Sequence, residues 1–227
     1  GLFFAFIGVL AFSLSLPFTK LALKSFDPLF TAFARPIIAA CLAIPLMFIF
    51  KVPALPRHLW RPTAFTALGA VFGWPILIAI ALYRTTSAHV SVIAAVMPLV
   101  TAIIAVIMNK KHPGKSFWVA STLGTALLIF FSLSRGGTSS ADLLTDLIII
   151  GAVVASSYCY VEGAGLTNYL PGWQVISWVV VISLPIAIPG AIAVYAATSD
   201  QYTLHLDAVL GMLGIGLSSM YLGFFAW

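Results

Sequence analysis

The chain has 227 residues, of which 62% are hydrophobic and only 7% are charged, whereas soluble domains carry roughly a quarter charged residues. This composition excludes an ordinary soluble protein and predicts a chain embedded in a lipid bilayer. The net charge of +5 does not indicate nucleic-acid binding, because the Lys and Arg residues are scattered between apolar runs and form no contiguous basic face. We therefore expect no nucleic-acid partner.

Eight apolar runs follow one another along the chain, each bounded by charged or turn-forming residues. A helix needs about 20 mostly apolar residues to cross a bilayer, so the runs predict an all-α, polytopic membrane bundle. The predicted helices lie near residues 2–19, 29–50, 63–83, 90–108, 117–133, 147–166, 173–197 and 208–227. The breaks between them, such as Pro113-Gly114 and Pro171-Gly172, favour tight connections.

We expect the first apolar run to be a span and not a removable signal, because it lacks a basic start and a small-residue cleavage site and similar runs follow it. The two cysteines, Cys41 and Cys159, also lie within apolar runs, without a nearby His or the paired spacing of a metal site. We expect reduced, packed thiols, no metal ion and no cofactor.

The charges in the connections predict the orientation of the chain. The second and fourth connections carry basic residues and no acid: Lys51, Arg57, Arg61, Lys110, Lys111 and Lys115. The connections on the other side combine Lys20, Lys24, Arg84 and Arg135 with Asp27, Asp142, Asp146, Asp200 and Asp207. The positive-inside rule then predicts that the basic connections and the N-terminus are cytoplasmic, in a multi-pass protein of the cell (plasma or inner) membrane.

An internal repeat is indicated by a shift of the chain against itself. Shifting by 143 residues pairs Gly8 with Gly151, Ser13 with Ser156, Leu23 with Leu166 and Pro28 with Pro171. A repeat unit of five helices, an odd number, would invert the second copy in the membrane and reverse the charges of its loops. The loop after helix two is indeed basic, and the loop after helix seven is acidic. We predict one repeat over residues 1–135 and an incomplete, three-helix repeat over residues 142–227, so that the chain is a C-terminally truncated ten-helix protein.

Several stretches resemble EamA-type transporters of the drug/metabolite transporter superfamily. Residues 81–93 and 97–99 are similar to the family's third-to-fourth helix signature, and Arg35 is similar to a position early in its second helix. Residues 172–175 and 220–227 look like parts of the later helices in amino-acid and metabolite exporters of that superfamily. The resemblance implies two inverted five-helix repeats around a central cavity.

The same resemblance implies a secondary transporter that moves a small metabolite by alternating access, exporting an amino acid or a related amphipathic solute. The chain has no Gly-x-x-x-x-Gly-Lys-Ser/Thr loop for ATP, so the energy would come from a gradient. An intramembrane enzyme is a second hypothesis, but motifs such as Gly-x-Ser-x-Gly and His-Glu-x-x-His are missing, and we expect no enzymatic activity. A nonenzymatic membrane subunit or channel fits the composition equally well but leaves the charge reversal unexplained.

Polar side chains within a span cost several kcal/mol unless they face a cavity or a partner, so they are candidate site residues. Arg35, about 10 Å into the bilayer from its helix start, either contacts an anion or carboxylate or bonds helix-end carbonyls. His89 can bind substrate or change protonation near neutral pH, or it can cap its helix. Glu162 can bind a substrate amine or carry a coupling proton, or its carboxylate can snorkel to the basic loops. Arg35 and Glu162 lie in opposite halves, so we expect no direct salt bridge.

Aromatic and hydroxyl side chains complete the set of candidates for a small-molecule binding site. The aromatic candidates are Trp74, Tyr83, Tyr158, Tyr160, Trp178 and Tyr221. Aromatic walls suit amphipathic solutes and cations, although Tyr and Trp near span ends also serve as interface anchors. Ser13 and Ser156, which the repeat pairs, offer symmetric hydroxyls or serve helix packing. We expect substrate flux to depend on Glu162 or Trp178.

Overall fold

The computed structural model describes residues 2–110, 113–134, 143–199, 202 and 205–223. Some charges used in the orientation argument, at Lys111, Arg135, Asp142 and Asp200, fall outside these ranges. The same holds for residues 224–227, at the end of the last family-like stretch.

The described residues form helices, which we number α1 to α8 in chain order. α1 consists of Leu2–Ser13 and Ser15–Ala22, and it is followed by α2 (Pro28–Ile49), α3 (Arg57–Arg84), α4 (Ser87–Asn109), α5 (Lys115–Ser134), α6 (Leu143–Leu166), α7 (Gly172–Thr198) and α8 (Leu206–Leu222). Within these ranges, α2, α3, α4, α6 and α7 are long and apolar enough to cross a membrane, and the others are shorter apolar helices. The predicted all-α membrane bundle is confirmed, although α3 begins earlier than expected, at Arg57.

Two helix starts are fixed by short polar side chains. The Asp27 carboxylate accepts hydrogen bonds from the backbone N–H groups of Leu29 and Phe30, at 2.7 and 3.3 Å, and Pro28 occupies the first turn of α2. At the start of α4, the Thr86 hydroxyl oxygen accepts a bond from the backbone N–H of His89, at 3.2 Å. These caps satisfy donors that have no partner within a helix. They set the tight connections before α2 and α4.

Prolines explain two interruptions within the helices. A proline ring lacks an N–H and clashes with the carbonyl of the residue four positions earlier. The first segment of α1 ends at Ser13, four residues before Pro17, and the first segment of α4 ends at Ala94, four residues before Pro98. Pro17 and Pro98 thus account for the positions of the breaks in α1 and α4, whereas α2 and α7 continue through their internal prolines.

The helices pack in pairs that cross the bundle. α2 lies along α7, α1 lies against α8, and α3 lies against α6, which also contacts α4. The main apolar core is formed by α2, α3, α6 and α7, with Met220 and Tyr221 of α8 at its edge. This arrangement leaves α5 at the periphery, in contact with α4.

Glycines allow two of these crossings to be close. A Cβ atom at Gly69 of α3 would lie 2.5 Å from the carbonyl oxygen of Ala155 in α6. A Cβ atom at Gly211 of α8 would lie 2.8 Å from the carbonyl oxygen of Phe18 in α1. No side chain fits at such separations, so glycine is required where these backbones meet.

Candidate functional site

Arg35 of α2 is buried near the middle of the bundle. Its side chain is 4% exposed, and its Nη2 donates a hydrogen bond to the Ser219 Oγ of α8 at 3.1 Å. The Ser219 hydroxyl in turn donates to the Ser15 Oγ of α1 at 3.2 Å. The Nε of Arg35 is buried and has no hydrogen-bond partner in the described part of the chain. A positive charge is thus held in the interior by a short chain of neutral hydroxyls.

A small polar cavity of about 30 Å³ lies beside this guanidinium. Its polar or aromatic lining residues are Phe12, Ser15, Arg35, Trp74, Ser156, Tyr160 and Ser219. Arg35, Trp74, Ser156 and Tyr160 were among the predicted candidates, whereas Ser15 and Ser219 were not predicted. The cavity gathers side chains from α1, α2, α3, α6 and α8 and is far smaller than the roughly 300–1,000 Å³ typical of ligand pockets.

A second, larger cavity of about 330 Å³ adjoins the polar one. Ala70, Cys159 and Tyr160 line both cavities, which are therefore contiguous. The larger cavity lies between α3, α6 and α7 and is mostly apolar, with hydroxyls contributed by Thr66 and Thr167. Its volume is at the lower end of the range for small-molecule sites.

The two ends of the bundle are distinguished by their connections. We call the end with residues 50–56, 110, 113–114 and 167–171 the basic face, and the end with residues 23–27, 85–86, 199, 202 and 205 the opposite face. The larger cavity reaches the basic face, because its lining includes Thr167 and Gly172 at the connection between α6 and α7.

On the opposite face, α1 is tied to two other helices. The Lys20 Nζ donates to the backbone carbonyl oxygens of Leu82 and Thr85, at the end of α3. Lys24 forms an ion pair with Asp207 at the start of α8. These contacts tie the end of α1 to the end of α3 and to the start of α8.

α6 is tied to α3 and α4 on the same face. The Arg84 Nε donates to the Thr145 Oγ1 at 3.0 Å, and the His89 Nε2 lies 2.7 Å from the Asp146 Oδ1. His89 was a predicted substrate contact, but its ring faces Asp146 of α6 and does not line either cavity. In this structure the His89 side chain joins α4 to α6.

Glu162 and Tyr158 form a separate polar pair on α6. The Tyr158 hydroxyl donates to the Glu162 Oε1 at 3.1 Å. Tyr158 lines an apolar groove between α3, α4 and α6, which also contains Phe65 and Ile104. These two predicted site residues thus lie on a different side of α6 from Ser156.

The remaining predicted residues lie away from the polar cavity. Ser13 is exposed and bonds the Leu10 carbonyl, and Tyr83 is exposed on the opposite face. Trp178 packs against the main core, and its Nε1 has no partner among the described residues. The buried Tyr221 hydroxyl lies 2.9 Å from the Ser177 Oγ, where it joins α8 to α7.

The residues described contain no group of three or more His, Cys, Asp or Glu side chains that could hold a metal ion. Apolar helices around a buried polar cavity define the chain as a polytopic α-helical membrane protein. Comparison with known proteins gives its family.

Residues 1–133 match the EamA-like transporter family, so the chain belongs to that family. A relative from Bacillus subtilis (strain 168), described as "Uncharacterized transporter YdeK", is 39% identical over 223 residues, which are 98% of this chain and 76% of the relative. A solved crystal structure of a protein without a functional name has a TM-score of 0.71, covering 99% of this chain and 76% of its own. At 15% identity, that likeness shows the fold alone. The chain is accordingly a membrane transporter.

Proposed function

We propose that this transporter exports an amino acid or a related amphipathic solute by alternating access. Membership of the EamA-like transporter family supports membrane transport of a small molecule. The contiguous cavities supply a place for a solute of modest size between α3, α6 and α7. We place the protein in the cell membrane, with its N-terminus and basic face in the cytoplasm.

The observation that carries this proposal is the difference between the two faces. The larger cavity reaches the basic face at Thr167, whereas Lys20 and Lys24 tie the helices together on the opposite face. With the basic face in the cytoplasm, this is a conformation open to the cytoplasm. A solute to be exported would enter the cavity there, and the helices would then reopen on the opposite face.

An inverted repeat is part of the proposal, with units over residues 1–135 and 142–227. In the proposed repeat, α1 corresponds to α6 and α3 corresponds to α8. The contact between α1 and α8 therefore has an equivalent in the contact between α6 and α3, and both contacts are present. Each corresponding helix also carries a π-helical turn, Leu68–Gly73 in α3 and Ile215–Leu222 in α8. Matched irregularities of this kind favour two related units around a central site.

Of the predicted site residues, we propose Arg35, Trp74 and Ser156 as contacts of the solute in this conformation, because they line the polar cavity. Glu162 with Tyr158 is proposed as a separate station that carries a coupling proton, since a carboxylate within a span is a common proton carrier. Tyr221 and Trp178 would support the wall of the cavity from the core.

The test is uptake of radiolabelled amino acids into inside-out membrane vesicles that contain the protein. In such vesicles, export appears as accumulation of the amino acid inside. We expect this accumulation to exceed the accumulation in vesicles that lack the protein. Ala70→Trp should abolish the accumulation, because Ala70 lines both cavities. Leu127→Trp is the matched control, since Leu127 is exposed on the surface of α5. Equal accumulation with and without the protein, for every amino acid, would refute export of amino acids.

A further inference from the structure

We propose that the polar cavity binds the carboxylate group of the transported solute, and that no group in the two cavities binds an amine. The inference rests on the proposed transport function and names the substrate class for the same site. In this proposal Arg35 binds the carboxylate, and the larger cavity holds the apolar part of the solute.

The first step is the unmet bonding capacity of a buried cation. Arg35 has one hydrogen bond, to the Ser219 Oγ, and its buried Nε has no partner among the residues described. A guanidinium carries more donors than this single bond satisfies. A buried charge is costly unless it is paired. The ion pairs within the described ranges join Lys24 to Asp207 and His89 to Asp146, and neither involves Arg35.

The second step is the shape of the space beside Arg35. The polar cavity has a volume of only about 30 Å³, so it admits a group of a few atoms and excludes a whole metabolite. A carboxylate is small enough for this cavity. Its two oxygens can also accept two parallel hydrogen bonds from the N–H groups of the guanidinium. Ser156 and Tyr160, whose side chains are hydrogen-bonded to each other, form a polar wall of the same cavity.

The third step is the position of the rest of the solute. Ala70, Cys159 and Tyr160 line both cavities, so a molecule can hold its head group in the small cavity and its body in the large one. The larger cavity of about 330 Å³ is lined mainly by small and aliphatic residues such as Val175 and Val179. This lining suits an apolar side chain.

The fourth step is the missing partner for an ammonium group. The described residues that line the two cavities include no Asp and no Glu. Glu162 is bonded to Tyr158, whose side chain lines the groove on another side of α6. The acid without its amine should therefore bind more tightly than the matching amino acid, whose ammonium would be buried without a partner, and an amine without a carboxylate should not bind.

The test measures the thermal unfolding of the purified full chain with solutes that share one body. The probes are 4-methylpentanoate, leucine, leucinamide and 3-methylbutylamine, together with sodium chloride and sodium phosphate. We expect 4-methylpentanoate to raise the unfolding temperature by roughly 5 °C at a concentration about a hundred times its dissociation constant, and leucine to raise it less at the same concentration. The amide, the amine and the two salts should have no comparable effect. Stabilisation by the amine, or by the inorganic anions alone, overturns the proposal, as does the absence of stabilisation by 4-methylpentanoate.

Variants separate binding of an anion from a structural role of Arg35. Arg35→Gln should lower the affinity for 4-methylpentanoate by more than about tenfold. Arg35→Lys should lower it less, because lysine keeps the positive charge although it cannot form two parallel hydrogen bonds to a carboxylate. Without ligand, Arg35→Gln should unfold at the same temperature as the parent or higher, since it removes a poorly paired buried charge. Arg61→Gln is the control, because Arg61 is exposed near the basic face. Marked destabilisation of unliganded Arg35→Gln, or unchanged affinity, contradicts the proposal; if the variant does not fold, the probes on the parent protein decide.

Failure of this inference can be distinguished from failure of the proposed function. If the parent protein transports solutes but does not distinguish carboxylates from amines, transport stands and the carboxylate site is wrong. If it binds carboxylates through Arg35 but moves none of them across a membrane, the binding site stands and the transport proposal is wrong.

Discussion

On the opposite face, the helix ends are joined by charged and polar side chains, with Lys20 bonded to carbonyls of α3 and Lys24 paired with Asp207. The opposite face also has ring contacts, among Phe26, Phe30, Tyr195 and Tyr202. On the basic face, ring contacts occur without an ion pair among the described residues. The ring centroids of Phe50 and Trp173 are 5.5 Å apart, and those of His58 and Tyr169 are 5.9 Å apart. The larger cavity reaches the bundle surface at this basic face.

The difference teaches how such a bundle can open at one end at a time. Ion pairs at a membrane boundary exchange readily for water, so their net contribution to stability is small. Ring contacts tolerate sliding because their geometry is loosely defined. In the proposed conformation, the closed, opposite face therefore has ion pairs in addition to ring contacts, and the open, basic face has no ion pair among the described residues. Removing contacts from each face tests this comparison.

The largest effect is expected at the close crossing of α3 and α6, which lies between the two faces. Gly69→Leu places a side chain where a Cβ would be 2.5 Å from the Ala155 carbonyl oxygen. We expect the free energy of unfolding to fall by about 3 kcal/mol, or the protein not to accumulate in membranes. Chemical denaturation in detergent measures the change. Gly124→Leu is the matched control, because a Cβ at Gly124 meets nothing within 4 Å; equal effects of the two changes would refute the close crossing.

The next effect concerns the contact between α4 and α6 on the closed face. Asp146→Asn keeps the size of the side chain but removes the negative charge that lies 2.7 Å from the His89 Nε2. We expect a loss of about 1 kcal/mol, because the pair is only partly shielded from solvent. A double-mutant cycle with His89→Gln measures the coupling. Strictly additive effects would show that the two side chains do not interact.

A smaller effect is expected from Lys20, which bonds two carbonyls but is itself exposed. Lys20→Met should cost less than about 1 kcal/mol of stability and should increase hydrogen exchange at the end of α3. Lys115→Met, at a position with no bonded partner in the described ranges, is the control. Faster exchange at the basic face instead would contradict the assignment of Lys20 to the closed face.

The smallest effect is expected on the open face. Phe50→Leu removes the ring contact with Trp173 while keeping an apolar side chain. We expect a loss of about 0.5 kcal/mol and unchanged transport. A large loss of transport, without a matching loss of stability, would show that the basic face also depends on specific contacts.

The sequence was sufficient to predict the helices, because their length and apolar character are local properties. It also pointed to Arg35, Trp74 and Ser156, since buried polar or aromatic residues are conspicuous in apolar helices. Ser15 and Ser219 were missed because single serines are common in such helices, and only packing decides which of them meet. The pairing of His89 with Asp146, 57 residues apart, likewise depends on the fold. Ser13 was predicted because the internal repeat pairs it with Ser156, but the residue of α1 that lines the cavity is Ser15, beyond the interruption of the helix at Leu14.

The central claim is that the cavity is open to the cytoplasm and closed to the outside. Single cysteines at Gly163 in the larger cavity and at Tyr83 on the opposite face, in a protein with Cys41 and Cys159 replaced by alanine, test it with a membrane-impermeant maleimide. In inside-out vesicles the Gly163→Cys protein should be labelled and the Tyr83→Cys protein should not, and in right-side-out vesicles the result should be reversed. Labelling of the Gly163→Cys protein from the outside would contradict the account.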